Sequence, residues 1–343
     1  MHVPDGFFDA AVSLAAGGVA AAGVAVCLRN ARRELDDRTA PMAGLVAAFV
    51  FAVQMLNFPV AAGTSGHLLG GTLAAVLVGP YTAVLCVAVV LLVQGFFFAD
   101  GGLTALGVNI TLMAIVTAAV GWAVFRLVLR VVPRRSAVPM AAFAGAVVSV
   151  PAAALAFTLL FWIGGTAPID VGAVAAAMGG VHVLIGIGEG LITALTVSSV
   201  LAVRPDLVHG ARGLTAPLVL RTAGGETAVA ATEEPARKKA GLRPLLAGGA
   251  LVALVLAGFV SFYASSSPDG LEKVAGDKGL NAQERDHPLG GSPFADYGVK
   301  GVGNERLAVG LAGVAGVAIT VAAGGAIFTA VRRRSRDGEQ AKA

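Results

Sequence analysis

Long apolar stretches without charged side chains constrain this chain more than any other feature. Residues 68–98 contain no charged residue, and Gly79-Pro80 interrupts them. A helix crosses the hydrocarbon core of a bilayer with roughly 20 residues, so this stretch is too long for one ordinary crossing. A proline inside a helix breaks the hydrogen-bond ladder. We therefore predict two helices here, the first of them short, divided at Pro80.

Further apolar stretches predict more membrane spans. Seven spans are expected before residue 205: Phe7–Leu28, Pro41–Phe58, the two within Leu68–Phe98, Leu103–Val132, Ala137–Ile163 and Val181–Val203. Two more are expected at Leu245–Tyr263 and Leu307–Val331. Composition agrees, because 13% of the residues are charged whereas soluble proteins carry about 25%. We predict an all-α, polytopic helical membrane protein, with a seven-helix bundle followed by a two-helix C-terminal domain.

Basic residues predict the orientation, since cytoplasmic loops are rich in Lys and Arg. The segments 29–38, 126–135 and 204–243 and the triplet 332–334 are basic, whereas the loops 59–67, 99–102 and 164–180 hold no Lys or Arg. We expect an extracytoplasmic N-terminus, on the side of the loop that contains His67, and a cytoplasmic C-terminus. The net charge of +4 is explained by these loops and requires no nucleic-acid partner.

Polarity also predicts the domain boundaries. Residues 206–243 are polar and suit a cytoplasmic linker between a first domain, 1–205, and a second, 244–335; residues 336–343 form a tail. Cys27 and Cys86 each lie in an apolar run without CxxC spacing, which indicates neither a disulfide nor a thiolate metal site.

The first residues could chelate a metal. No Lys or Arg precedes the first apolar run, so we expect no cleaved signal peptide and retention of Met1. A histidine at position 2 lets the α-amine, the deprotonated backbone nitrogen of His2 and its Nδ1 surround one ion in a plane. Square-planar nitrogen coordination is typical of Ni(II) and Cu(II), with Co(II) close in affinity. The alternative is a loose chain end with a solvated imidazole.

A fourth nitrogen ligand could come from another histidine: the candidates are His67, His182, His209 and His287. His67 follows Gly63-Thr64-Ser65-Gly66, where the glycines permit close approach of another segment. The predicted topology allows His2 and His67 to meet, although an interfacial loop histidine is an equal alternative. His209 and His287 are expected to be solvated.

Two polar residues fall inside the last predicted span of the first domain. His182 and Glu189 share one helical face, and an intramembrane carboxylate is a functional candidate by default. A packed structural pair is the alternative. Asp100 and Asn109 flank a Gly-Gly turn and are predicted to be capping residues.

Other functional classes remain open at this point. Gly63-Thr64-Ser65-Gly66 matches the GxSG pattern of rhomboid-type intramembrane serine proteases, with Ser65 as nucleophile and His182 as base. The serine precedes its helix, however, and no His-x-x-x-Asn element lies in an earlier span. An ion-coupled secondary transporter that uses Glu189 is the other alternative.

Several motifs together resemble a known family. They are Met1-His2-Val3-Pro4-Asp5-Gly6, Asn57-Phe58-Pro59-Val60, Gly63-Thr64-Ser65-Gly66-His67-Leu68, Phe98-Ala99-Asp100-Gly101-Gly102 and Gly107-Val108-Asn109. Over residues 1–205 the chain resembles the CbiM/NikM substrate-binding membrane component of cobalt/nickel energy-coupling-factor transporters. The later Pro268-Asp269-Gly270-Leu271-Glu272 is similar to the PDGLE-type CbiN/NikN component, here fused to the first.

The resemblance implies a function, a site and partners. In that family the metal is bound by the Met1 amine, the His2 backbone nitrogen and imidazole, and a loop histidine that matches His67. Asn57, Thr64, Ser65, His182 and Glu189 are expected outer partners that orient these ligands. The implied substrate is Ni(II) or Co(II), the latter for cobalamin biosynthesis, with no organic cofactor and no enzymatic activity of the chain itself. A transmembrane coupling (T) component and cytoplasmic ATPase subunits are the implied partners, and the bacterial cytoplasmic membrane is the implied location.

Overall fold

The computed structural model describes residues 1–61, 63–214, 218–222, 225–229 and 241–340. Parts of the predicted linker, at 215–217, 223–224 and 230–240, and the end of the predicted tail, at 341–343, lie outside the described residues.

The described residues form an almost entirely helical protein, as predicted. The α-helices are α1 (Ala10–Asn30), α2 (Thr39–Gln54), α3 (Gly71–Val78), α4 (Pro80–Val93), α5 (Leu106–Asn109), α6 (Thr117–Val131), α7 (Val138–Gly164), α8 (Val171–Val203), α9 (Leu242–Gly258), α10 (Gly270–Lys278) and α11 (Glu305–Gln340). A π-helical turn at Gln94–Phe98 extends α4, and a second at Ile110–Val116 joins α5 to α6. Seven of these helical segments are long and apolar enough to cross a membrane, and α2 is a shorter apolar helix.

The predicted division at Pro80 is confirmed. Gly79 separates α3 from α4 with a φ of 102°, a backbone conformation that favours glycine, and Pro80 occupies the first turn of α4. The eight residues of α3 are too few to span a bilayer, in agreement with the short helix predicted there.

Several predicted boundaries are wrong, because side-chain caps rather than hydropathy decide where helices begin. The carboxylate of Asp170 accepts a hydrogen bond from Ala173 N at 2.8 Å, so α8 begins at Val171 rather than Val181. Asp9 caps α1 in the same way through Val12 N, which leaves Phe7 in a non-helical N-terminal segment. At the other end, α11 continues to Gln340 through most of the predicted tail.

Two short antiparallel hairpins form within the segments that were predicted to be a loop and a linker. The first pairs β1 (Phe58–Ala61) with β2 (Thr64–Gly66), immediately before His67. The second pairs β3 (Leu218–Thr222) with β4 (Gly225–Val229) within the linker.

The C-terminal helices pack directly against the first seven-helix part. A Cβ placed on Gly44 in α2 would lie 3.3 Å from the backbone nitrogen of Gly325 in α11, so glycine permits the two backbones to approach closely. On the N-terminal side of α11, the aromatic ring of Tyr297 stacks on Phe98 with 5.0 Å between ring centroids. In the loop 264–304, Arg285 N donates to the Asp5 carbonyl at 2.9 Å, so this loop contacts the N-terminal segment.

Candidate metal site at the N-terminus

The N-terminal segment folds back into the helical bundle. Met1 and Phe7 are each 2% exposed and Val3 is fully buried. Asn109 holds Val3 from both sides: the Val3 N–H donates to Asn109 Oδ1 at 2.8 Å, and Asn109 Nδ2 donates to the Val3 carbonyl at 3.1 Å. Gly102 N donates to the same carbonyl at 2.8 Å. The chain end is therefore fixed rather than loose.

Asp5 anchors the next turn of this segment. Its carboxylate accepts hydrogen bonds from Leu103 N at 3.1 Å, from Thr104 N at 2.7 Å and from Thr104 Oγ1 at 2.5 Å. From the C-terminal part, Arg285 N donates to the Asp5 carbonyl at 2.9 Å. Both parts of the chain thus hold the N-terminal segment in place.

The Met1 amine lies in direct contact with Nε2 of His67. His67 Nδ1 is 3.0 Å from the carbonyl of Leu68, and because a carbonyl only accepts, Nδ1 carries the proton. The lone pair of Nε2 therefore points toward the amine. A second hydrogen bond that fixes the tautomer in this way is typical of metal-binding histidines.

His2 stacks on His67, with ring centroids 5.1 Å apart. Its Nε2 lies 3.1 Å from Gln94 Oε1, and its Nδ1 lies 3.4 Å from Asp100 Oδ1. Burial lowers the pKa of His2 to about 4, against the opposing effect of the Asp100 carboxylate. The imidazole is therefore neutral at pH 7, and a hydrogen bond from Nε2 to Gln94 leaves the Nδ1 lone pair free to bind a metal.

A carboxylate from the C-terminal part completes this cluster. Asp269 Oδ2 accepts a hydrogen bond from the Met1 ammonium at 2.6 Å and lies 3.5 Å from His67 Nε2. Burial alone would raise the pKa of Asp269, but the Met1 ammonium beside it outweighs burial and holds the pKa well below its usual range. Its other oxygen, Oδ1, caps α10 by accepting from Leu271 N and Glu272 N.

The hairpin before His67 binds the segment that carries Asp269. Ser65 N donates to the Pro268 carbonyl at 2.9 Å, and Ser65 Oγ donates to the Ser267 carbonyl at 2.7 Å. Thr64, also buried, pairs with Ala61 in the hairpin. Asn57 contributes its carbonyl, which accepts from Ser265 N at 2.7 Å. These residues connect the His67 loop to the C-terminal part of the chain.

Glu189 supports the loop that follows His67. Its carboxylate oxygens accept from Leu69 N at 2.6 Å and from Gly70 N at 3.1 Å. Gln54 Nε2 donates to the Leu69 carbonyl at 2.9 Å, so side chains from α8 and α2 hold one peptide at both ends. Glu189 thus acts on the backbone beside His67 in this structure.

His182 is fully buried on α8. Its Nδ1 donates to the Met178 carbonyl at 2.8 Å, whereas its Nε2 has no hydrogen-bond partner among the described residues. Gly270 packs against this ring: a Cβ at Gly270 would lie 3.1 Å from His182 Cε1 and 2.8 Å from Ile185 Cδ1. The remaining histidines have other contacts: His209 lies against the Trp122 ring, and His287 Nδ1 accepts from Leu289 N.

These contacts give no support to the two alternative functions. The Ser65 hydroxyl donates to backbone carbonyls, and no hydrogen bond joins it to His182 in the part of the chain that the structure describes. Both oxygens of Glu189 are occupied by backbone N–H groups.

Sequence reasoning misassigned two partners of the N-terminal segment, overlooked a third and did not predict the position of a fourth. Asp100 and Asn109 were predicted to be caps, and this is wrong: Asp100 accepts from the Tyr297 hydroxyl at 2.5 Å and approaches His2, while Asn109 holds Val3. Gln94, buried in an apolar helix, was not singled out, although a buried amide there is itself a signal. Asp269 was recognised only as part of a motif.

Within the described residues, no group of three or more His, Cys, Asp or Glu side chains is placed to hold a metal ion. The fold and this arrangement define a multi-pass membrane protein whose own N-terminus lies in a buried, nitrogen-rich site.

Comparison with known proteins identifies the family. Residues 2–207 match the family model CbiM, described as the cobalt uptake substrate-specific transmembrane region, and residues 243–333 match the PDGLE domain. The chain belongs to the CbiM family and carries a fused PDGLE domain, as the sequence motifs predicted.

Relatives and solved structures agree with this assignment. The fused nickel transport protein NikMN of Rhodobacter capsulatus is 31% identical, over 94% of this chain and 95% of that protein. The cobalt transport protein CbiM of Sorangium cellulosum is 37% identical over 54% of this chain and 83% of its own length. A crystal structure of a truncated transition metal transporter is 29% identical, with a TM-score of 0.54, and covers 59% of this chain and 99% of that one.

Proposed function

We propose that this protein is the substrate-binding membrane subunit of an ATP-driven energy-coupling-factor transporter that imports Ni(II) or Co(II). The observation that carries the proposal is the contact between the Met1 amine and His67 Nε2 inside the bundle. The ligands are the Met1 amine, the backbone nitrogen and Nδ1 of His2, and Nε2 of His67. Four nitrogens suit Ni(II) in a square plane, and the relative that spans both parts of the chain is a nickel transport protein, which favours nickel.

Binding exchanges protons for metal. The ion displaces a proton from the ammonium of Met1 and one from the amide of His2, so affinity rises with pH. Asn109 and Asp5 fix the N-terminal segment, Gln94 orients the His2 ring and Leu68 fixes the tautomer of His67. The His67 loop is positioned by the side chain or backbone of Ser65, Thr64, Asn57 and Glu189, and His182 lies beside this loop.

Energy for transport comes from partner subunits. The sequence contains no GxxxxGK[ST] stretch, so we infer that separate cytoplasmic ATPases drive a transmembrane coupling component, against which the loaded bundle reorients. The distribution of basic segments supports an orientation with the N-terminus and His67 outside the bacterial cytoplasmic membrane and the Arg332-Arg333-Arg334 end inside. Metal would enter from the outer side.

The test changes the spacing of the chelate. Two alanines inserted between Met1 and His2 enlarge the ring that the amine and imidazole close, whereas two alanines inserted after Thr232 in the linker leave it intact. We expect Ni(II) affinity of the purified full chain, measured by equilibrium dialysis and elemental analysis, to fall at least about 100-fold for the first variant only. Equal affinity in both variants would reject the proposal.

A further inference from the structure

The carboxylate of Asp269 lies where a fifth ligand could reach the metal. Metal–nitrogen and metal–oxygen bonds are about 2.0–2.2 Å, so two neighbouring ligands of one ion lie roughly 3 Å apart. Asp269 Oδ2 is 2.6 Å from the Met1 nitrogen and 3.5 Å from His67 Nε2. The oxygen therefore already lies at ligand spacing from two of the proposed nitrogen ligands.

Charge provides an independent reason. Before an ion binds, the ammonium and the Asp269 carboxylate cancel. A divalent ion bound by a neutral amine, one deprotonated amide and two neutral imidazoles carries a net charge of +1. Because the site is buried, with the side chains of Met1 and Asp269 1% and 9% exposed, an uncompensated charge would be costly. The Asp269 carboxylate offsets this charge, and Asp100, 3.4 Å from His2 Nδ1, adds the same negative charge before and after loading, so the net charge of the site does not change.

The local structure fixes Asp269 beside Met1 and His67. Oδ1 accepts the hydrogen bonds that cap the N-terminus of α10, while Oδ2 contacts the Met1 amine and His67 Nε2. Gly270 fits against His182 and Ile185 with no space for a side chain, which holds the start of α10 against α8. Ser65 binds the two preceding carbonyls, so the backbone of Asp269 is fixed on both sides.

We propose that Asp269, supplied by the PDGLE domain, is a direct oxygen ligand of the transported metal, added above the plane of the four nitrogens. The proposal rests on the proposed function of Met1, His2 and His67. The C-terminal domain then contributes to the binding site itself, and metal binding and docking of the loop 264–304 strengthen each other, because coupling between two binding events is reciprocal.

The test compares D269N with the wild type in the purified full chain. Asparagine caps helices about as well as aspartate, so α10 should remain formed. D277N, in the exposed Lys273–Asp277 pair of the same helix, and E272Q, which keeps an acceptor for Asp269 N, are matched controls. Nickel K-edge spectroscopy distinguishes four-coordinate planar Ni(II), which has an intense 1s→4pz feature, from a five-coordinate ion, which lacks it.

We expect the wild type and both controls to lack the planar feature and D269N to show it, with a Ni(II) affinity about 10-fold or more lower. Nickel should also slow hydrogen exchange at Leu271 N and Glu272 N in the wild type and not in D269N. A planar signal in the wild type, or an unchanged or higher affinity of D269N, would overturn the inference. The insertion of two alanines after Met1 separates the two proposals: if it abolishes binding while D269N changes nothing, only the role of Asp269 fails.

Discussion

The Met1 ammonium and the Asp269 carboxylate lie 2.6 Å apart, although 268 positions separate them in the sequence. Met1 directly precedes residues 2–207, which match the CbiM family model, and Asp269 lies in the PDGLE domain. Because both are buried beside His67, the contact joins the two parts at the site where the metal is proposed to bind. The two fused parts of the chain therefore contribute residues to one polar cluster, which contains Met1, His67 and Asp269.

Asn109 should determine metal affinity by fixing the N-terminal segment. N109D keeps an acceptor for Val3 N but replaces the donor to the Val3 carbonyl with an oxygen, and N109A removes both hydrogen bonds. Loss of such outer partners typically costs 10–100-fold in metal affinity, and we expect about that loss for both variants by equilibrium dialysis. N30A removes an exposed hydrogen bond to Val26 and should bind normally. Unchanged affinity in N109A would show that Val3 is positioned by other contacts.

Glu189 should act on stability first and on metal binding second. E189A leaves the N–H groups of Leu69 and Gly70 buried without acceptors, and each such group costs about 1–3 kcal/mol. E189Q keeps one oxygen acceptor, so we expect its loss of stability to be roughly half that of E189A. Thermal unfolding of the purified protein in detergent measures the stability of each variant, and E284Q, at an exposed position, is the control. A fully stable E189A that no longer transports metal would instead favour the ion-coupled alternative.

Gly270 should control how closely the PDGLE domain approaches the site. G270A introduces a Cβ 2.8 Å from Ile185 Cδ1, which forces the start of α10 away from α8 and withdraws the Asp269 carboxylate. G276A adds the same methyl group to the same helix, where the nearest atom would be 3.8 Å away. We expect Ni(II) affinity to fall in G270A, toward that of D269N, and to stay at the wild-type value in G276A. Equal affinities in the two variants would show that α10 tolerates displacement.

His2 should stay neutral well below the usual histidine range. Its pKa is about 4 in the folded protein, against 6.5 for a solvated histidine, chiefly because of burial. As pH falls from 6.5 to 4, His2 binds a proton when the N-terminal segment has left the bundle but not while the segment is buried there. Acidification through this range therefore favours release of the N-terminal segment from the bundle. Nitrogen-15 NMR of histidine-labelled protein should show a neutral His2 ring at pH 5.5. A protonated ring at that pH would mean that the residue is exposed.

The helical part of the fold was largely predictable, since hydropathy reports burial in the bilayer. Gly79-Pro80 marked the division between α3 and α4, because proline cannot continue a helix and glycine accepts a positive φ. The start of α8 was not predictable from hydropathy, because Asp170 sets it from outside the apolar run. The hairpin before His67 was missed because its strands are short and rich in small residues.

The candidate site was predictable only where the chemistry is local. His2 follows Met1 directly, so covalent geometry alone indicated a chelate. Asn109 and Asp269 reach the N-terminus from distant positions, and no spacing in the sequence reports that approach. An acidic residue three positions before Glu272 is the pattern of a helix cap, and Asp269 does cap α10 through Oδ1. This pattern gives no indication of a second role for the other oxygen. Only the folded structure shows where Oδ2 points.

A structure of the full chain loaded with Ni(II) tests the central claim most directly. The account predicts one ion in contact with four nitrogens, the Met1 amine, the backbone nitrogen and Nδ1 of His2, and Nε2 of His67, each at about 2 Å. An ion bound elsewhere, with the Met1 amine still paired only with Asp269 and His67, would contradict it.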